Sequence, residues 1–211
     1  MIKTTLRVKM NRRAMERVAQ RALSKKQAKE LAWQKAQEVS KRAQEGLLQE
    51  FSTHPVTQEI ESGPNASNVS GTINGVQGNL FSFIGFSDGA NPTEVIRRYI
   101  SSKKRVYKTS RFVKTSTKGG QYRFRIDAPT MEGIKGITPL PWESGRSWVQ
   151  GIEQGISGIG HYLYKKSVSG SRSGTAVQIR GSLGGSFSTK PYMKALLQKY
   201  KINLRTGALG K

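Results

Sequence analysis

The stretch SKKQAKELAWQKAQEVSKRAQEGLLQEF, residues 24–51, has the clearest periodicity in the chain. Small and apolar residues recur there at steps of three and four, which is the period of one helix face: Ala28, Leu31, Ala32, Ala36, Val39, Ala43 and Leu47. Ser24 and Gln27 have capping-box spacing, so the pattern predicts a long helix over residues 12–51 with a break or kink near Ser24. Because alanine buries little area, we expect this helix to lie on a sheet or on a neighbouring subunit.

Strands are indicated on both sides of this helix. Residues 2–10 alternate between apolar and polar side chains, which is typical of a half-buried strand. Residues 106–115 and 121–128 are joined by Lys118-Gly119-Gly120, which predicts a β-hairpin. We also expect helices at residues 92–101, 144–154 and 190–199, and strands at residues 160–166 and 175–180. These elements predict an α+β fold, with the long N-terminal helix packed on a mainly antiparallel β-sheet and a short C-terminal helix.

The length of 211 residues suits one structural domain, which we place at residues 1–200 and follow with a flexible tail at residues 201–211. Residues 53–79, rich in Gly, Pro, Asn and Ser, predict an extended loop arm that adjacent subunits order. Residues 80–86, LFSFIGF, predict a buried strand or another core segment that anchors this arm, because apolar side chains would occupy both faces of a strand. We therefore expect a group of residues in the core or at an interface: Leu80, Phe81, Phe83, Ile84, Phe86, Trp142 and Trp148.

Residue types that support catalysis are sparse and scattered. The chain has no cysteine, which excludes disulfides, thiolate zinc sites and cysteine nucleophiles. His54 and His161 have no carboxylate at ligand spacing beside them, so a metal site is disfavoured. Glu59 and Glu61 would share one strand face, and we expect both to be solvated or paired with lysine and arginine. The sequence therefore predicts a protein that is not an enzyme and has no catalytic residue, cofactor or metal.

The apolar stretches of the chain are short. The N-terminal residues contain no apolar core of signal-peptide length, and no stretch approaches the ~20 apolar residues of a membrane span. We therefore expect a protein that is made in a cytoplasm and does not contact a membrane.

Charge is high and unevenly distributed. The net charge is +23, from 36 basic and 13 acidic residues, and such a chain attracts polyanions. On the predicted hairpin, Arg123 and Arg125 share one face while Tyr122, Phe124 and Ile126 share the other, so we expect the aromatic residues in the core and the arginines at the surface. We expect a group of basic residues to face DNA or an acidic partner: Lys103, Lys104, Arg105, Arg123 and Arg125.

Three stretches carry a resemblance to a known family. FSTHPVTQEIESGP at residues 51–64, NLFSFIGF at residues 79–86 and KPYMKAL at residues 190–196 resemble the neck, head–tail connector or tail-completion proteins of tailed bacteriophages. The resemblance implies a structural virion protein that forms a homo-oligomeric ring at the neck, between head and tail. It also implies contacts with other neck, portal or tail proteins and non-specific contact with genomic DNA. In that family the Pro-aromatic motif fixes the last helix on the sheet.

The charge by itself favours a different class of protein. A basic nucleic-acid-binding protein of the ribosomal or nucleoid type would also carry a large positive charge. Against this alternative, the middle of the chain, residues 51–102, carries 2 basic and 4 acidic residues and offers no surface for a polyanion.

Overall fold

The computed structural model describes residues 4–9, 25–74, 79–116, 119–141, 143–155, 161–164, 177–180 and 186–206. The helices are α1 Lys25–Thr53, α2 Pro55–Glu61, α3 Leu80–Ile84, α4 Glu94–Ser102, α5 Met131–Ile137, α6 Trp148–Gln154 and α7 Met193–Thr206, with a short 3-10 helix at Gly63–Asn65. The strands are β1 Thr4–Lys9, β2 Ile73–Asn74, β3 Val106–Ser116, β4 Gly119–Ile126, β5 Pro139–Leu140, β6 Glu143–Ser147, β7 His161–Tyr164, β8 Val177–Arg180 and β9 Ser186–Phe187. All the described strand pairs are antiparallel. The fold is therefore α+β, as the sequence predicted.

The chain divides into two compact units. The first unit contains residues 1–48, 100–129 and 198–211, and the second contains residues 49–99 and 130–197. The first holds 26 basic and 5 acidic residues, a net charge of +21, and we call it the basic unit. The second holds 10 basic and 8 acidic residues, a net charge of +2, and we call it the neutral unit. Almost the whole charge of the protein therefore belongs to one unit.

In the basic unit, the long helix contacts a three-stranded sheet of order β1-β4-β3. The Trp33 indole N–H donates to the Val106 carbonyl oxygen at 3.5 Å. Lys108 pairs with Glu30 at 2.9 Å, and its ammonium lies 4.7 Å from the centroid of the Trp33 ring. The stripe Ala32, Ala36, Ala43 and Leu47 is buried. The prediction that this helix packs on a sheet is confirmed, although residues 12–24 of the predicted helix lie outside the described residues.

The neutral unit contains short helices and strands of two to five residues. Side-chain caps start several helices: the Ser147 hydroxyl accepts from the Gln150 N–H, and the Thr130 hydroxyl accepts from the Gly133 N–H. Gly133 also packs against Tyr99, whose hydroxyl would lie 1.9 Å from a Cβ at that position. Only glycine fits there without displacing the ring. The lack of a side chain at Gly133 therefore allows α5 to lie close to Tyr99.

Two segment predictions are wrong. Residues 80–84 are helical, because the Asn79 side chain accepts from the Ser82 N–H at one end and Gly85 ends the helix at φ +88°. An apolar run of this length fits a buried strand or a buried helix equally well, and the caps decide between them. The predicted arm at residues 53–79 contains α2, which begins at Pro55, and the 3-10 helix, so it is not extended there.

Smaller corrections concern the ends of elements. The last helix continues to Thr206, so residues 201–206 do not belong to a flexible tail, and residues 207–211 lie outside the described residues. The helix predicted at residues 144–154 begins only at Trp148, and strand β6 precedes it. No described helix is long and apolar enough to cross a membrane.

Candidate functional site

A continuous series of ring contacts crosses the neutral unit, and we call its members the aromatic cluster: Phe51, His54, Phe81, Phe86, Trp148 and Tyr192. The ring centroids of Phe81 and Phe86 lie 5.5 Å apart, and Phe86 meets Trp148 edge-on at 5.6 Å. Trp148 lies 6.4 Å from Tyr192, which in turn contacts Phe51 at 6.2 Å and His54 at 4.9 Å. These are the separations at which offset and edge-to-face aromatic pairs attract one another.

Tyr192 is the member of the aromatic cluster with the most partners. Its side chain is fully buried, and its hydroxyl shares a hydrogen bond of 2.8 Å with the Thr57 hydroxyl. Burial raises the pKa of Tyr192 far above its ordinary value, and the hydrogen bond from Thr57 opposes only part of that shift. The phenol is therefore neutral at any physiological pH, and Tyr192 acts as a packing and hydrogen-bonding residue.

His54 has a structural position as well. Its Nδ1 accepts from the Val56 N–H at 3.2 Å, which caps the start of α2. Burial lowers the pKa of His54, and a hydrogen bond to the Pro191 backbone opposes part of the change. The neutral imidazole is thus the form that the surroundings of His54 favour. His161 lies in β7, and the described residues contain no group of three or more histidines and carboxylates that could hold a metal ion.

The apolar residues that we expected in the core or at an interface are buried within the chain where they are described: Leu80, Phe81, Phe83, Ile84, Phe86 and Trp148. Phe83 does not join the aromatic cluster but stacks on Phe187, with centroids 5.3 Å apart. Trp142 lies outside the described residues. Two of these residues, Phe86 and Trp148, come from separate stretches of sequence and touch, which sequence reasoning did not anticipate.

Glu59 has a structural role that could not be predicted from the sequence. Its side chain is 0% exposed, and its carboxylate accepts from the Ser70 N–H at 2.8 Å and the Leu80 N–H at 2.7 Å. It therefore closes the chain between α2 and α3. The expectation that Glu59 is solvated or paired with a basic residue is wrong, because α2 turns it inward beside Val56 and Ile60. The same expectation is right for Glu61, which pairs with Arg97 at 2.7 Å.

Asn79 and the residues around it complete this closure. The Asn79 side-chain amide donates to the carbonyl oxygens of Pro64 at 2.9 Å and Ala66 at 3.0 Å. Asn68 accepts from the Thr72 N–H at 3.2 Å. Beside this loop, a polar groove of about 520 Å³ is lined in part by Glu61, Asp88 and Arg97. Since Glu61 and Arg97 neutralise each other, the groove carries no strong net charge.

The basic residues of the hairpin form the second candidate surface. We call Arg105, Arg111, Arg123 and Arg125, with Tyr107, the arginine face. The guanidinium carbons of Arg125 and Arg105 lie 4.2 Å and 4.9 Å from the centroid of the Tyr107 ring. Arg111 stands directly opposite Arg123 in the β3–β4 ladder. Phe124 and Ile126 are buried whereas Arg125 is exposed, which is the alternation that the sequence indicated.

The predicted basic residues are only partly brought together. Lys103 is half-buried, and Lys104 and Arg105 are exposed just before β3. The structure joins Arg105 to Arg125 through Tyr107, a residue that the candidate group omitted. It also adds Arg111 through the strand register, which a sequence pattern alone does not fix.

Comparisons with known proteins identify no similar protein. No protein-family model matches the chain, and no curated protein and no solved structure is significantly similar to it.

Proposed function

We propose that this protein is a structural subunit of a tailed-phage virion, assembled as a homo-oligomeric ring at the neck between head and tail. The observation that carries the proposal is the aromatic cluster. The three stretches that resemble neck and tail-completion proteins, residues 51–64, 79–86 and 190–196, each contribute residues to it. A resemblance over distant stretches is better supported when those stretches pack together, because the need to form one common core would then explain the residues in all of them.

The surroundings of the chemically versatile residues support a non-enzymatic role. His54 caps a helix, Glu59 closes a loop and Tyr192 packs in the aromatic cluster. Each of these residues has its polar atoms engaged by the backbone or by a neighbouring hydroxyl. A general acid or base must instead reach a substrate proton from a cleft.

The proposal is tested by measuring the copy number and the location of the protein in purified particles. In purified virions the protein should occur at a small fixed copy number by quantitative mass spectrometry, and cryo-electron microscopy should locate it at the head–tail junction. Native mass spectrometry of the purified chain at increasing concentration should show closed oligomers of one size. Absence from mature particles would overturn the proposal.

A second candidate function is a cellular nucleic-acid-binding protein of the ribosomal or nucleoid type. The observation that favours it is the concentration of +21 charges in the basic unit. Fractionation of infected or expressing cells separates the two functions. A ribosomal or nucleoid protein co-sediments with ribosomes or chromosomal DNA, whereas a neck subunit enters particles.

A further inference from the structure

The arginines of the arginine face lack the partners that other arginines of the chain have. Arg42, Arg97, Arg98 and Arg146 each pair with a glutamate. Among the described residues, no carboxylate pairs with Arg105, Arg111, Arg123 or Arg125. Arg123 is half-buried, and its buried Nε has no hydrogen-bond acceptor within the part of the chain that the structure describes. Positive charge is therefore gathered on this sheet without a paired carboxylate among the described residues.

The strand register makes this accumulation sharper. Arg123 of β4 has Arg111 of β3 opposite it on one side and Arg7 of β1 opposite it on the other. Neighbouring strands are about 4.8 Å apart, and like charges directly opposite each other destabilise a sheet. The facing pair Arg111 and Arg123 thus costs stability in the free protein. The cost is offset when an anion lies across this pair.

We propose that the arginine face binds the phosphodiester backbone of double-stranded DNA without regard to base sequence. Arginine suits this partner, because its planar guanidinium donates two parallel hydrogen bonds to one phosphate. A second copy of this chain is disfavoured as the occupant of this face, since neither of its units has the net negative charge that would complement four arginines: the basic unit carries +21 and the neutral unit +2. The choice of DNA as the nucleic acid rests on the proposed function, which places the protein beside a packaged genome.

Tyr107 indicates a duplex rather than a single strand. A platform for unpaired bases needs an aromatic ring that is open for stacking. The Tyr107 ring instead contacts the guanidinium groups of Arg105 and Arg125. These cation–π contacts hold the two guanidiniums in place and leave their N–H groups for phosphate oxygens. The face is therefore built for backbone contact, which reads no sequence.

The test is the salt dependence of DNA binding by the purified full-length chain. Fluorescence anisotropy with a labelled mixed-sequence duplex gives the slope of log K against log salt concentration. Each phosphate contact contributes about 0.9 to that slope. The double variant Arg111→Gln/Arg125→Gln should flatten the slope by about two and weaken binding on the order of ten- to a hundredfold at low salt.

A charge-matched control separates the arginine face from general attraction. Lys29 and Lys201 are exposed residues of the basic unit, so Lys29→Gln/Lys201→Gln removes the same charge from the same unit. This variant should change the slope by less than about half a unit. Equal losses in the two double variants overturn the proposal. If the arginine variant unfolds by circular dichroism, the single variants Arg111→Gln and Arg125→Gln are compared with Lys29→Gln and Lys201→Gln, and equal losses in these folded variants also overturn it.

Competition identifies the occupant. Unlabelled duplex DNA should displace the labelled duplex more effectively than single-stranded DNA, duplex RNA or a glutamate-rich peptide at equal charge. Preference for the peptide would assign the face to an acidic protein, and preference for single strands or RNA would overturn the choice of duplex DNA. A chain that enters particles but binds no duplex refutes this inference alone. A chain that binds duplex but is absent from particles refutes the proposed function alone.

Discussion

The two units of this protein differ in net charge and in the contacts that stabilise them. The neutral unit has a net charge of +2 and is held by ring contacts and by a buried carboxylate that bonds only backbone N–H groups. The basic unit has a net charge of +21, and its long helix buries a stripe of alanines and contacts the sheet through Trp33 and Lys108. The first unit gains stability from its own interior, whereas the second contains like-charge repulsion that an anionic partner or salt would weaken.

The largest expected effect is in the aromatic cluster. Trp148 is 1% exposed and contacts both Phe86 and Tyr192. Trp148→Ala should lower the free energy of unfolding by about 3–5 kcal/mol, because the cavity removes both buried area and ring contacts. Chemical denaturation measures the loss. The control Val69→Ala, at a side chain that is 58% exposed in the same unit, should change stability by less than about 0.5 kcal/mol.

Glu59 gives the next largest effect. In Glu59→Gln, one of the two backbone N–H donors at Ser70 and Leu80 would face an amide NH₂ group instead of an acceptor. We expect a loss of about 1–3 kcal/mol, the cost of a buried unsatisfied group. Hydrogen exchange at the Ser70 and Leu80 amides should accelerate, and limited proteolysis should cut residues 62–79 sooner. Glu61→Gln, which changes an ion pair that is partly exposed, should leave both amides protected.

Salt should distinguish the two units. Screening shortens the reach of exposed charges from about 10 Å at 0.1 M to about 3 Å at 1 M salt. Repulsion within the basic unit should therefore weaken, and hydrogen exchange in β3 and β4 should slow as salt increases. Exchange in α6 of the neutral unit should hardly respond. Equal responses in the two units would contradict the electrostatic contrast between them.

The smallest expected effect is the pH dependence from His54. Burial lowers the pKa of His54 in the folded chain, so the unfolded state binds a proton more readily. The stabilisation by the neutral ring is complete above the unfolded pKa of about 6.5 and declines as pH falls below it. His54→Asn keeps an acceptor that can cap α2 but does not titrate. Thermal melts between about pH 5 and 7 should depend less on pH in this variant.

The sequence predicted what depends on period and alternation. The stripe from Ala28 to Leu47 and the hairpin around Lys118-Gly119-Gly120 have patterns that only one secondary structure satisfies, and both elements are present. Residues 80–86 have apolar side chains in a run too short to distinguish helix from strand, and the caps Asn79 and Gly85 decide. Both capping residues can be read from the sequence, so the sequence contains the information that favours a helix here.

Other features depend on chain segments that are distant in sequence. Glu59 resembles any exposed glutamate until α2 is known to begin at Pro55 and to turn it inward. Arg111 and Arg123 become neighbours only through the register of the β3–β4 ladder, and a bulge between Val106 and Ser110 shifts that register. The basic group that sequence reasoning proposed therefore omitted Tyr107 and Arg111, which ring contacts and strand register bring beside its arginines.

The contact between Thr57 and Tyr192 has a consequence for synthesis, because the two residues are 135 positions apart. At roughly 5–20 residues per second, a ribosome needs about 7–27 s to make the intervening chain. Until Tyr192 is made, Phe51, His54 and the later-synthesised Trp148 lack their common neighbour, and the nascent chain exposes apolar rings. The aromatic cluster of the neutral unit can therefore form only after the ribosome releases the C-terminal residues. A chain truncated before residue 192 should remain incompletely folded and be bound by chaperones or degraded by proteases.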